Sequence, residues 1–239
     1  YTIGLLNTNL VQYISDCLNP TVSLTWGDIQ RIPFILPPKD LEDRVSSLAS
    51  HNIDIKKHLC SFHLIETNFE QTPITAYEEN TLLDRIHAYL NYENSQLGLI
   101  LIHEAIINEL VYEIYELSQE DREQVEEKMG KSVGGMPVLE EARRAYLSSV
   151  SIENEEVKKF IDCLPIGEFE PSFVNTIKND FETLYQANND LESFCIKHQV
   201  NPINVWYWFQ EAKILPKGRG QEIALEFLAD AFRSLLNED

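Results

Sequence analysis

The chain has 239 residues with 44% hydrophobic and 10% aromatic side chains, enough apolar material for a sizeable core and unlike a disordered acidic tail. Its 39 acidic residues against 19 basic give a net charge of −20, which disfavours a wide nucleic-acid contact because such contacts draw on Lys and Arg to neutralise phosphates. No apolar run approaches the ~18 residues of a membrane span, so no membrane role is expected. The chain opens at Tyr1 without a basic-then-apolar leader, and the expected setting is the cytoplasm of a cell, as one part of something longer.

In chain order, residues 3–18 show helical spacing through Leu6, Leu10, Tyr13 and Ile14 before Asn19-Pro20. Val22, Leu24 and Trp26 then alternate, and Gly27-Asp28 predicts a turn into residues 29–32, so a short strand-containing segment is expected near residues 22–36. Asp40 fits an N-cap for a helix over 41–51, while residues 55–74 read as either a short helix or a packed loop. A long helical hairpin is expected next, with arms at 78–92 and 96–117. In the second arm Leu99, Ile102, Ile106, Leu110, Ile114 and Leu117 recur at steps of three and four, the mark of a core helix.

Ser118 and Asp121 have capping-box spacing for a helix over 119–129, and Gly130 sits at its C-terminal stop. Shorter helices follow over 139–148, 154–163, 171–188, 190–198, 202–212 and 220–236. In the last of these Ala224, Phe227, Leu228, Ala231, Phe232 and Leu235 predict a buried seam. The fold class is therefore mainly α, a multi-helix chain in three regions: 1–38, 39–150 with the hairpin, and 151–239.

Several patterns invite chemistry and fall short of it. Gly130-Lys131-Ser132 ends like a phosphate-binding loop, but Val125 stands where the first Gly is needed and a helix leads in instead of a strand. His103-Glu104 on a helix resembles a zinc-protease start, but Ile107 replaces the second His, so no metal is expected. Cys17, Cys60, Cys163 and Cys195 stand singly and read as buried free thiols. Glu104, Glu109, Glu113 and Glu116 read as a solvated helix face, with an acidic docking surface as the alternative.

Residues 190–212 have helix-turn-helix proportions, with Asn201 as N-cap and Pro202 opening the second helix. That helix carries Trp206, Tyr207, Trp208 and Phe209 where a recognition helix would carry polar or basic groups, which favours packing in a bundle over DNA contact. The candidate phosphate contacts are Arg31 beside the Gly27-Asp28 turn and the cluster Lys213, Lys217 and Arg219.

Three stretches together resemble the C-terminal region of the PglX family, the adenine-specific DNA methyltransferases of BREX phage-defence systems. The first is Leu5-Leu6-Asn7-Thr8 with Leu18-Asn19-Pro20-Thr21, Gly27-Asp28-Ile29 and Ile32-Pro33. The second is Ile114-Tyr115-Glu116-Leu117 with Glu120-Asp121-Arg122, Met129-Gly130, Val133-Gly134 and Pro137-Val138. The third and most specific runs from Val200-Asn201-Pro202-Ile203 and 205–209 through Leu215-Pro216 to 222–230.

The resemblance implies a parent enzyme that uses S-adenosylmethionine to methylate adenine N6 in double-stranded DNA. Its Asn-Pro-Pro-Tyr motif and donor-binding glycine loop are missing here, so both are expected N-terminal to Tyr1, no catalytic or cofactor-binding residue is assigned, and the chain alone is expected to be inactive. Residues 1–38 would end the target-recognition region. The rest would brace the enzyme or dock other BREX components, consistent with charges of −3 for residues 1–75, −9 for 76–150 and −8 for 151–239. The alternative is an acidic helical adaptor or DNA mimic without enzymatic role.

Overall fold

A computed structural model describes residues 1–19, 25–185 and 190–237. They form thirteen α-helices: α1 (Thr2–Leu6), α2 (Asn9–Leu18), α3 (Trp26–Ile29), α4 (Lys39–Cys60), α5 (Pro73–Ala76), α6 (Leu82–Ile114), α7 (Gln119–Met129), α8 (Glu140–Ser149), α9 (Glu155–Cys163), α10 (Pro171–Asp180), α11 (Leu191–His198), α12 (Pro202–Ala212) and α13 (Lys217–Asn237). The mainly α class holds. The expected strand segment does not: of residues 22–36, those described from 25 onward contain no strand, and Trp26-Gly27-Asp28-Ile29 is a helical turn. A capping box closes that turn, with Thr25 and Asp28 satisfying each other's backbone amides, and this local bonding overrides the alternating apolar pattern. Val22 and Leu24 lie outside the described residues, as do Pro20 and Thr21. The helix expected over 171–188 ends at Asp180 and gives way to a 3-10 turn at Phe181–Thr183, and positions 186–188 of that expectation lie outside the described residues. Among the described residues the β pairing is one isolated parallel bridge, Val138 to Ile166.

The expected helical hairpin is instead one 33-residue helix, α6, running straight through residues 92–96. Tyr92-Glu93-Asn94-Ser95 contains neither Gly nor Pro, and three of its polar groups meet partners from distant parts of the chain. Glu93 meets Arg219, Asn94 accepts from the Tyr185 hydroxyl, and the Ser95 carbonyl accepts from Tyr146 Oη at 2.7 Å. The single helix expected over 3–18 breaks into α1 and α2, because Thr8 turns its hydroxyl to the Val11 amide and caps the second segment. Conversely, the helix expected over 41–51 extends to Cys60; Asp40 lies in its first turn, and Pro38 holds the N-cap position.

Helix α6 is the axis of the fold, packed along its length by α4, α12 and the loop around Val133. Two apolar clusters flank it. One gathers Leu5, Leu10, Val45, Leu99, Ile106, Tyr146, Ile161 and Trp206, drawing on residues before 39, between 39 and 150, and after 150 alike. The other gathers Phe62, Tyr89, Leu90, Phe181, Phe194, Trp208 and Phe209. Helix α12 feeds both, with Trp206 on one side and Trp208 and Phe209 on the other.

Candidate functional site

The loop over residues 130–138, between α7 and α8, is where distant parts of the chain meet. Gly130 ends α7 at φ +84°, a backbone conformation that favours glycine. Gly134 lies so close to α6 that a Cβ there would fall 2.3 Å from the Leu101 carbonyl oxygen, so only glycine fits without moving helix backbone. Asparagines bind the loop's backbone carbonyls. Asn9 Nδ2 donates to Gly130 O at 3.2 Å, and the buried Asn201 Nδ2 donates to Gly134 O at 3.0 Å and Met136 O at 2.8 Å. Asn204 Nδ2 donates to Pro137 O at 3.0 Å while its Oδ1 accepts from Leu139 N at 2.8 Å. Asn108 Nδ2 donates to Ser132 Oγ at 3.1 Å, and its Oδ1 accepts from Asn9 N at 2.8 Å. Gly130-Lys131-Ser132 is thus a helix stop held by asparagines, with Lys131 exposed and 3.9 Å from Glu126.

Next to this loop, α1, α4, α6 and the segment after α4 enclose an apolar cleft of about 580 Å³, with Ile3, Ile53, Ile100 and Ile107 on its walls. Its polar groups include Asn52, Lys56 and Glu104. Glu104 is a correction to the solvated-face expectation: Glu109, Glu113 and Glu116 are exposed, but Glu104 is half-buried between α4 and α11. Burial, reinforced by the nearby carboxylates of Glu192 and Asp190 and opposed by Lys56, pushes its carboxyl up to about 7. Neighbouring His103 is fully buried, with its Nδ1 2.6 Å from Asn52 Oδ1. Burial, aided by His51, holds it down to about 3, so the ring stays neutral. Among the described residues no cluster of three or more His, Cys, Asp or Glu is placed to hold a metal.

The candidate DNA contacts are placed differently from one another. Arg31 is exposed, 3.9 Å from Asp28. Lys213 is exposed at the left-handed C-cap of α12, and Lys217 pairs with Glu182 at 2.7 Å. Arg219 faces inward: its guanidinium binds Glu93 Oε1 at 2.8 Å and Glu222 Oε2 at 2.6 Å, and its Nη2 lies 3.3 Å from His63 Nε2. Tyr89 Oη donates to the same Glu93 oxygen at 2.9 Å. The second helix of the helix-turn-helix-like unit is likewise internal, since Pro202, Ile203, Asn204, Val205, Trp206, Trp208 and Phe209 of α12 are all buried.

Sequence reasoning missed the Glu93–Arg219 pair and the buried setting of Glu104; each carries a charge, and nothing local marks the distant partner or wall that encloses it. The cysteines depart from expectation as well: Cys195 is buried, but Cys17 and Cys163 are exposed. No protein-family model matches the chain, and neither a curated protein nor a solved structure does so.

Proposed function

We propose that this chain is the non-catalytic, helical C-terminal region of a site-specific adenine-N6 DNA methyltransferase of a BREX phage-defence system, serving recognition and scaffolding. The observation that carries this reading is convergence on the loop over residues 130–138. The second stretch of the resemblance forms that loop, the third supplies Asn201 to bind it, and Asn9, next to the first stretch, binds its start. These contacts lie inside the molecule and hold the three stretches together, which is a folding role and needs no reaction. The parent enzyme would hold S-adenosylmethionine and the extruded base outside this chain, and the acidic helical surface would dock other system components.

The test is methyl transfer from labelled S-adenosylmethionine to duplex DNA by the purified chain. No transfer is expected, and transfer by the chain alone would refute the assignment. Pull-down with the remaining defence components tests the docking half, which fails if none binds at micromolar concentration.

A second reading, an acidic adaptor or DNA mimic, is favoured by the internal pairing of the candidate phosphate contacts Lys217 and Arg219. The two readings separate on duplex DNA. Binding that weakens steeply with salt would oppose the adaptor, because phosphate contacts release counterions.

A further inference from the structure

Two apolar surfaces stand without an occupant. On α13 the seam expected to be buried is exposed, with Leu225, Leu228, Phe232 and Leu235 at 66, 50, 64 and 63%. Ile223 and Phe227, on the other side of that helix, are the residues that meet the second cluster. The cleft between α1, α4 and α6 differs in combining apolar walls with unused polar groups, and so defines its ligand more closely. Its volume of about 580 Å³ is that of a small-molecule pocket. On α4 the lining residues Ala49, Asn52, Ile53, Lys56 and Cys60 share one helix face, and on α6 Ile100, Glu104 and Ile107 share another.

The polar groups of the cleft divide into used and unused donors. Asn7 Nδ2 donates to Ile3 O at 2.9 Å, and Asn68 Nδ2 donates to Lys57 O at 2.8 Å. Asn52 Oδ1 lies 2.6 Å from His103 Nδ1; an amide oxygen only accepts, so the ring donates there. The Asn52 Nδ2 hydrogens are left without a partner among the described residues. Lys39, Lys158, Lys197 and Lys217 each reach a carboxylate at 2.7–2.9 Å. Lys56 and Lys57 make no such pair among the described residues, and Lys56 acts on Glu104 and Glu192 only at longer range. Burial, with Glu192 and Asp190 of α11 and against Lys56 of α4, keeps the Glu104 proton on up to about 7. Below that pH the Glu104 carboxyl is one more donor.

What these groups lack in common is an acceptor. With Glu104 protonated, the charges lining the cleft are Lys56 and Lys57 against Glu66, a local positive excess on a chain of −20. Asp190 and Glu192 line the neighbouring cavity and not this one. An ammonium head would bring only donors and meet two lysines, whereas a carboxylate only accepts and can take several donors at once. We propose that the cleft binds a small aliphatic carboxylate, with its chain along Ile53, Ile100 and Ile107 and its head group on Lys56, Asn52 and Glu104.

Calorimetric titration of the full chain with octanoate at pH 6 tests this. One site with a dissociation constant of about 0.1–1 mM is expected for a ligand of this size. Octylammonium and 1-octanol should bind at least tenfold more weakly. Lys56→Glu should weaken octanoate at least tenfold with helical content unchanged. Affinity should fall from pH 6 to pH 8 as Glu104 becomes charged, and Glu104→Gln, which keeps a donor but cannot ionise, should remove that fall. Absence of octanoate binding up to ~5 mM overturns the proposal. So does equal or tighter binding of either other head group, or octanoate binding that ignores both Lys56→Glu and the change of pH.

Discussion

Glu93 and Arg219 lie 126 positions apart, and their side chains are 7 and 8% exposed in the protein. A buried ion pair contributes little over a well-packed apolar pair, but removing one partner strands the other's charge, at a cost of about 3–5 kcal/mol. Glu93→Ala is therefore expected to destabilise the protein by about that amount, because Arg219 keeps its charge and loses its main acceptor. The double variant Glu93→Leu with Arg219→Met should recover most of the loss. Urea unfolding of the three proteins measures both, and a single variant within ~0.5 kcal/mol of wild type would show that Glu222 and His63 suffice. The same pair explains a limit of the sequence. Arg219 sits in a basic cluster with Lys213 and Lys217, and its sign suggested a phosphate. Only the tertiary position of α6 shows that the opposite charge is already supplied.

Helix α6 shows what was legible at the level of elements. The apolar stripe from Leu99 to Ile114, the capping box at Ser118 and the stop at Gly130 are local signals, and the structure realises each. The break expected between arms ending at 92 and starting at 96 does not form, and Arg219, Tyr185 and Tyr146 bring hydrogen bonds to residues 93–95 from distant parts of the chain. In α13 periodicity correctly marked an apolar face but not whether the chain itself covers it. The asparagine contacts with the loop over residues 130–138 were illegible except for the cap at Asn201, since they join residues up to 121 positions apart.

Glu104 gives α6 a pH dependence of unusual sign. The folded carboxyl keeps its proton up to about 7, while in the unfolded chain it releases near its ordinary 4.5. The folded state thus binds more protons between those values, and the contribution of this group to stability falls as pH rises from 4.5 through 7. His103 acts on the other side: held down to about 3, it stays neutral while the unfolded ring takes a proton below 6.5, so stability is lost as pH falls from 6.5 toward 3. Glu104→Gln should therefore stabilise the protein by about 1–3 kcal/mol at pH 8 and leave it unchanged near pH 4.5. Equal effects at both pH values in denaturant titrations would show that the substitution acts through packing and not through the charge.

At the scale of the whole molecule, a charge of −20 on 239 residues is held together by two apolar clusters and one buried ion pair. Most ion pairs on its surface are exposed pairs such as Lys39 with Asp43 and Lys158 with Glu155, each worth about 0–1 kcal/mol. Salt weakens those pairs, but it also screens the repulsion among all the unpaired acids, which is longer in range and more numerous. The repulsion is concentrated beyond residue 75, where 31 acidic residues face 14 basic ones. Raising NaCl from 10 to 200 mM shortens the screening length from about 30 Å toward 8 Å, so it should stabilise the fold, raising Tm by about 3–6 °C for a stabilisation of ~1–2 kcal/mol in a chain of this size. A Tm that falls over this range would mean that the attractive pairs outweigh the excess of acid, and that the surface is a balanced network despite its net charge.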